Sequence, residues 1–294
     1  MSYPALSRSP YLCIAAIILS STLYAQNPTV SCSFTLFQLN SSDPNNPAVL
    51  AVTGVNKSHT TVGYASPDQV LPPAEGFVRA ADGTVQYVTP TGSRATWINA
   101  LNDNGVSVGY YEDTAENDFG FALRGSTLTP IPFPPGNRPT GINNASTIVG
   151  QYLNSFGVWT GFMRSTDGKI TSLTYPGAAG TYPYGINNLG VIVGQYYDRN
   201  YSPHGFTYAN GAWTNIDYNI GGGAQLLGIS DSGIVLGESP VGWGFFLYKD
   251  GAFASLPSVP GSSGTSFNSM SLGGLLTGTE SDSSGQHGFV ATCH

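Results

Sequence analysis

The side chains best suited to binding a ligand are aromatic and acidic residues outside the repeated part of the sequence. Aromatic faces beside carboxylates suit sugars, whose C–H faces stack on rings while their hydroxyls bond polar groups. Exposed aromatic clusters also bind partner proteins. The candidate binding residues are Tyr111, Asp113, Trp159, Tyr182, Tyr184, Asp198, Tyr201 and Trp243. A second aromatic set recurs at the end of the repeated pattern and is interpreted as packing: Tyr64, Tyr110, Tyr152 and Tyr196.

The common zinc and dithiol motifs are missing from the sequence, which contains no His-Glu-x-x-His and no Cys-x-x-Cys. Its one Gly-x-Ser-x-Gly match, from Gly105 to Gly109, lies inside a copy of the repeat and does not precede a predicted helix, as a nucleophile elbow would. The four histidines do not form a ligand set by spacing, so no metal is predicted from them. Oxygen-rich loops suit calcium, and calcium is therefore the alternative to having no cofactor. Its candidate ligands are Glu112, Asp113, Asp198, Glu280 and Asp282.

The elements that must position these residues form a sixfold repeat. The pattern runs as GINNASTIVGQY from Gly141 and as GINNLGVIVGQY from Gly185, with four weaker copies. The closing glycines lie 41 to 46 residues apart, at positions 63, 109, 150, 194, 237 and 278. A Gly-Phe pair follows each of them, assigned in the fifth repeat to Gly244-Phe245. A period near 43 is typical of a solenoid or propeller.

Each repeat has the pattern of four short strands. Apolar residues alternate or run in short β-branched stretches bounded by Gly, Pro and Asn. In the third repeat the predicted strands are residues 138–143, 147–152, 160–165 and 170–175. No sustained 3.6-residue period predicts a long helix. The fold class is therefore all-β, a six-bladed β-propeller with four-stranded blades.

The chain ends indicate how the ring closes. The last repeat stops before its fourth strand, and the chain opens with an unpaired strand at residues 34–39. Placing this strand in the last blade completes the ring and removes an open sheet edge. Cys32 and Cys293 then meet at the missing turn, which favours a disulfide that closes a very long loop. Two buried free thiols are the alternative.

Export is predicted from the first 25 residues. Arg8 precedes a short apolar run from Tyr11 to Ala25, which is typical of a secretory signal peptide cleaved after Ala25. An uncleaved anchor is the alternative. Residues 26–294 then form one propeller domain, secreted or otherwise extracytoplasmic. The net charge of −7 and few basic residues argue against nucleic-acid binding.

The repeated sequence pattern resembles the HAF repeats of exported bacterial proteins. The resemblance rests on GINNLGVIVGQY, on His204-Gly205-Phe206 where such repeats commonly read His-Ala-Phe, and on the Pro-Gly loop that follows. It covers all six repeats and is strongest in the third and fourth. It implies an extracytoplasmic, propeller-like bacterial protein and brings no catalytic residue with it.

A non-catalytic recognition module is the function these observations favour. The predicted inner strands carry no Asp or Glu, which an acid-base enzyme acting at the axis would need. The expected ligand is an extracellular glycan or a surface protein, bound by a monomer without a membrane span. The alternatives are an enzyme acting on a polysaccharide or lactone, and a structural envelope or matrix protein. The repeated asparagines are interpreted as turn residues, with a ring at the channel mouth as the alternative: Asn56, Asn102, Asn143, Asn144, Asn187 and Asn188.

Overall fold

Six antiparallel sheets of four strands each make up the fold, as the computed structural model shows. The structure describes residues 28–39, 49–66, 74–132, 136–218, 223–239 and 244–294. The predicted signal peptide and Trp243 lie outside these residues. Within them, no helix has the length and apolar character to cross a membrane. The all-β, six-bladed β-propeller predicted from the repeats is confirmed.

The strands follow the repeats closely, with the innermost strand of each blade first along the chain. Blades one and two contain β2 (Val49–Val55), β3 (Thr61–Ser66), β4 (Glu75–Arg79), β5 (Val85–Val88), β6 (Ser93–Leu101), β7 (Val106–Asp113), β8 (Asp118–Arg124) and β9 (Thr127–Pro130). Blades three and four contain β10 (Arg138–Ile142), β11 (Ile148–Leu153), β12 (Trp159–Arg164), β13 (Ile170–Leu173), β14 (Gly180–Ile186), β15 (Ile192–Tyr197), β16 (Pro203–Ala209) and β17 (Ala212–Ile216). Blades five and six contain β18 (Gln225–Ile229), β19 (Val235–Ser239), β20 (Gly244–Lys249), β21 (Ala252–Ser255), β22 (Gly264–Met270), β23 (Leu276–Asp282), β24 (Gly285–Cys293) and, from the start of the chain, β1 (Cys32–Phe37).

The two chain ends share the sixth blade, as predicted. Strand β1 pairs antiparallel with β24, and Cys32 lies opposite Cys293. The two cysteines form a disulfide with Cα atoms 4.1 Å apart and a sequence separation of 261. This bond takes the place of the turn that joins the two outer strands in the other blades.

The core of each blade rests on one phenylalanine packed over the glycine of the second strand. In blade three, Gly150 pairs directly with Phe162. A Cβ added to Gly150 would collide with the Arg138 carbonyl oxygen of the neighbouring strand and would also lie 2.8 Å from the Phe162 ring, so this close packing requires glycine. The six equivalent rings are at most 1% exposed: Phe77, Phe121, Phe162, Phe206, Phe246 and Phe289.

Blade five corrects one sequence assignment. Gly237 pairs with Phe246, which makes Phe246 the buried phenylalanine of this blade, not Phe245 of the predicted Gly-Phe pair. Phe245 occupies the position that is glycine in the other blades. Its ring lies 5.5 Å from that of Phe267 in blade six, so it packs across the blade interface.

The repeated asparagines connect neighbouring blades at one end of the axis. Asn143 is buried; its Oδ1 accepts the Thr147 N–H at 3.0 Å, and its Nδ2 donates to the Asn187 carbonyl of blade four at 3.1 Å. Asn56, Asn102 and Asn187 each bond the following blade in the same way. The turn role predicted from the sequence is therefore present, and the same side chains also form a partial ring.

Candidate functional site

Every inner strand contains a β-bulge, and the bulge residues surround the central axis at the end of the ring opposite the asparagine turns. The register between the first and second strands shifts at an equivalent residue in every blade, as between Pro139 and Gly141, and blade two has a further shift at the start of β6. Bulges re-aim a side chain and are common beside functional sites. The six residues inside these shifts are Thr53, Asn99, Thr140, Tyr184, Leu227 and Asn268.

All six bulge residues line one cavity, which we call the axial mouth. Its volume is about 240 Å³, and its remaining walls are Tyr110, Arg138, Gln151 and Ser269. The loops between the second and third strands lie at this end, because β10 begins beside the end of β11, where Arg138 pairs with Gln151. The axial mouth therefore lies on the face that carries the variable loops.

Bulge side chains also bond blade to blade, which fixes the cavity wall. Thr140 Oγ1 donates to the Pro183 carbonyl at 2.7 Å, and Asn99 Nδ2 donates to the Pro139 carbonyl at 2.7 Å. Thr53 and Asn268 make equivalent bonds to the next blade. The bulge residues of blades four and five differ in kind: the Tyr184 hydroxyl bonds the Gln225 side chain of blade five, and Leu227 carries no polar group. They give that side of the mouth an aromatic and an aliphatic surface.

Arg138 is held between two aromatic rings at the edge of the axial mouth. Its Cζ lies 5.0 Å from the centre of the Tyr110 ring and 4.8 Å from that of Trp159. Tyr110 stacks in turn on Trp97 at 4.8 Å. A guanidinium stacked between two rings is favoured by cation–π attraction, and the result is a continuous stack that runs from blade two into blade three.

An ion pair with Asp118 fixes the orientation of the Arg138 guanidinium. Arg138 Nε donates to Asp118 Oδ2 at 2.6 Å, and no other hydrogen bond joins this guanidinium to the described part of the chain. Burial raises the pKa of the Asp118 carboxyl above its ordinary value, and Arg138 opposes part of that rise. Burial also raises the pKa of the Tyr110 hydroxyl to about 12, so this tyrosine is neutral at physiological pH.

Gln151 carries an unused acceptor at the same place. It lines the axial mouth, and its buried Oε1 has no hydrogen-bond partner among the described residues. An unsatisfied buried carbonyl costs roughly 1–3 kcal/mol. The mouth therefore offers an acceptor in Gln151 and donors in Arg138 to an incoming polar molecule.

One of the predicted binding residues lines the axial mouth, and another borders it. Tyr184 is the bulge residue of blade four, whereas Trp159 covers Arg138 from a neighbouring cavity of about 450 Å³. Burial raises the pKa of the Tyr184 hydroxyl. Tyr182, two residues earlier on β14, instead lies against Tyr197, with ring centres 5.6 Å apart.

The other predicted residues lie farther out on the blades. Tyr111 stacks on Phe119 at 5.3 Å and packs against a core cluster. Asp113 and Asp198 accept backbone N–H groups of their own loops, and these bonds lower the pKa of both carboxyls. Tyr201 is 76% exposed at the tip of the blade-four loop. The predicted set is therefore divided between the axial mouth and separate loops.

Sequence reasoning did not select Arg138, Gln151, Asn99 or Asn268 as ligand-binding residues. Gln151 belongs to the repeated sequence pattern, which does not single it out. The informative signal is the variation at the bulge position, where four blades carry a polar residue and the other two carry tyrosine and leucine. That signal becomes readable only once the bulge is known.

Comparison with known proteins identifies the fold and no family. No protein-family model matches the chain, and no curated protein matches it. The HAF-repeat assignment therefore stays a resemblance.

Several solved structures are similar. TolB from Acinetobacter baumannii aligns with a TM-score of 0.54 at 14% identity, over 78% of this chain and 63% of its own. AofleA from Arthrobotrys oligospora aligns at 0.51 and 10% identity, over 89% and 86%. The β-propeller domain of the trilobed protease from Pyrococcus furiosus aligns at 0.49 and 8% identity, over 83% and 80%. This chain thus spans less than two thirds of the TolB chain. At such identities the first two likenesses show the fold alone.

Proposed function

We propose that this protein is an exported, non-catalytic recognition module that binds a glycan at the axial mouth. The observation that supports it most is the combination, in one cavity, of an unsatisfied buried acceptor, a stacked guanidinium and aromatic surface. A sugar presents hydroxyls that both donate and accept, together with C–H faces that stack on rings.

The chemistry of the mouth matches such a ligand group by group. One sugar hydroxyl donates to Gln151 Oε1, and a neighbouring oxygen accepts from the Arg138 guanidinium. The sugar ring lies against Tyr184. A cavity of about 240 Å³ is smaller than the roughly 300–1,000 Å³ of drug-sized sites, which favours one sugar unit or a chain end over a long segment.

The scarcity of acidic side chains around the axial mouth fits a binding role better than a hydrolytic one. The inner strands β2, β6, β10, β14, β18 and β22 contain no Asp or Glu. Asp118, the carboxylate beside the mouth, is 7% exposed and engaged by Arg138. An acid-base pair would need two carboxyl groups, or a carboxyl and a histidine, that reach the substrate.

An oxidising compartment fits the covalent structure. Disulfides persist in exported proteins and are rare in the cytosol, and the Cys32–Cys293 bond joins the ends of the domain. Together with the predicted signal peptide, this bond supports an extracytoplasmic location in a bacterial cell.

A binding screen on residues 26–294 tests the proposal. The parent protein, Trp159→Ala and Tyr87→Ala would be applied to a glycan array and to insoluble polysaccharides. Tyr87 is the matched control, because it is a 43% exposed aromatic residue on the outer strand β5. We expect a glycan to be retained by the parent and by Tyr87→Ala and lost by Trp159→Ala.

Two results would overturn the proposal. One is that the parent retains no glycan, in which case capture of a surface protein would replace the glycan as the ligand class. The other is that Trp159→Ala retains the glycan as strongly as the parent does, which would place the site away from the axial mouth.

A further inference from the structure

Blade six departs from the repeat at the position that is tyrosine in blades two, three and four. Glu280 takes that position, directly opposite His287 on the neighbouring strand. Asp282 follows two residues later, at the end of β23. Strand pairing thus brings a histidine and two carboxylates together within a single blade, although they are not adjacent in sequence.

The three side chains converge on one point. One ligand atom from each lies within 4.8 Å of the other two. His287 Nδ1 is 2.6 Å from Glu280 Oε1 and 3.9 Å from Asp282 Oδ1. A tetrahedral zinc with bonds of about 2.0–2.1 Å separates its ligand atoms by about 3.3–3.4 Å. The observed separations bracket that value, so small side-chain shifts complete the geometry.

The buried Glu280 carboxylate is the observation that points to a cation here. Its side chain is 1% exposed, and its Oε1 lies 2.6 Å from His287 Nδ1, a separation at which a carboxylate oxygen and an imidazole nitrogen need a proton or a cation between them. A buried carboxylate is costly without a positive partner. Among the described residues, no lysine or arginine forms a salt bridge with it, so the cation must come from the imidazole or from solution.

We propose that Glu280, Asp282 and His287 form a binding site for a divalent transition metal of the zinc class. One imidazole nitrogen and two carboxylate oxygens make a mixed nitrogen–oxygen set of three, to which zinc adds water. Calcium prefers six to eight oxygen ligands, so the histidine favours zinc over the calcium considered from the loop acids. Asp282 is 34% exposed and gives the ion a path from solvent.

Gln38 supplies the outer contact that a metal-bound histidine requires. Its side-chain amide lies 2.6 Å from His287 Nε2. Rotation of the amide places its oxygen there, so that Nε2–H donates and Nδ1 keeps its lone pair for the metal. Gln38 directly follows β1, the strand that closes the ring, so metal binding also braces the closure.

Blade four provides an internal comparison. His204 occupies the position equivalent to His287, and Asp198 that equivalent to Asp282, but Tyr196 stands where blade six has Glu280. His204 Nδ1 is taken by Asp217 at 2.8 Å. The His204 cluster therefore lacks the buried carboxylate that defines the proposed site, and it makes a matched control.

Zinc binding to tag-free residues 26–294 tests the proposal, with a chromophoric chelator as competitor. We expect one zinc per chain, an affinity at least tenfold lower in Glu280→Gln and in Asp282→Asn, and parental affinity in His204→Gln. Zinc should also raise the melting temperature of the parent and not that of Glu280→Gln.

Three results would overturn it. They are no stoichiometric zinc in the parent, an equal loss in His204→Gln and Glu280→Gln, or calcium binding that zinc does not displace. Circular dichroism checks that Glu280→Gln folds. If it does not fold, the half-exposed Asp282→Asn decides, and unchanged zinc affinity in that variant refutes the site.

Discussion

Removing the disulfide should lower stability by an amount that the ring geometry sets. The bond closes a loop of 261 residues. The chain-entropy relation then gives about 5.6 kcal/mol at 25 °C, released into the denatured state when the bond is absent. At roughly 2 °C per kcal/mol for a domain of this size, Cys32→Ser/Cys293→Ser should melt about 10 °C below the parent.

Thermal unfolding followed by circular dichroism, with and without reductant, measures this effect. The parent should lose stability on reduction, and the double serine variant should not respond to reductant. Because β1 still pairs with β24 over six residues, the variant should remain folded at 25 °C. A variant that melts within about 2 °C of the oxidised parent, equivalent to roughly 1 kcal/mol, would refute the argument that the bond constrains the chain ends.

Three further changes probe packing, the asparagine ring and buried charge. Gly150→Ala should destabilise the protein by about 1–3 kcal/mol, because the added Cβ would meet Phe162. Gly264→Ala should not destabilise it, because no atom lies within 4 Å of the added Cβ. Urea unfolding compares the two variants. Asn143→Ala leaves the Thr147 N–H and the Asn187 carbonyl unpaired, and it should lower the free energy of unfolding by about 2–4 kcal/mol in the same assay. The exposed Asn104→Ala should lower it by less than about 0.5 kcal/mol. Equal losses of stability in the two variants would contradict the role of the asparagine ring. Burial raises the pKa of the Glu238 carboxyl, so the native state holds this proton more tightly, and the stability of the parent falls as pH rises from the ordinary pKa through the raised one. Glu238→Gln should therefore be more stable than the parent at pH 7 and equally stable below the ordinary pKa. A stability advantage that does not change with pH would refute this cause.

The fold could be predicted from the sequence because each blade repeats the same local pattern. The strands predicted in the third repeat agree with β10 to β13 within one or two residues at each end. Ring closure followed from counting strands at the two chain ends. Blade five was misassigned because loop length hid the register, and only the pairing of Gly237 with Phe246 shows which ring is buried.

The candidate site was less predictable because it is assembled between blades. Arg138 begins the first predicted strand of the third repeat, but its partner Tyr110 comes from the preceding blade and Asp118 from a different strand of that blade. Glu280 and His287 likewise meet only through the pairing of β23 with β24. Trp159 and Tyr184 were found because they depart from the repeat, which marks residues that the blade itself does not require.

The affinity of Gln151→Leu for a retained glycan tests the axial-mouth proposal most directly. Leucine keeps the approximate volume of Gln151 and removes the unpaired Oε1. We expect calorimetry to show binding weakened at least tenfold, as for loss of one hydrogen bond worth about 1.4 kcal/mol or more, while the melting temperature holds or rises. Unchanged affinity in a folded Gln151→Leu protein would contradict the proposal that the glycan occupies this cavity.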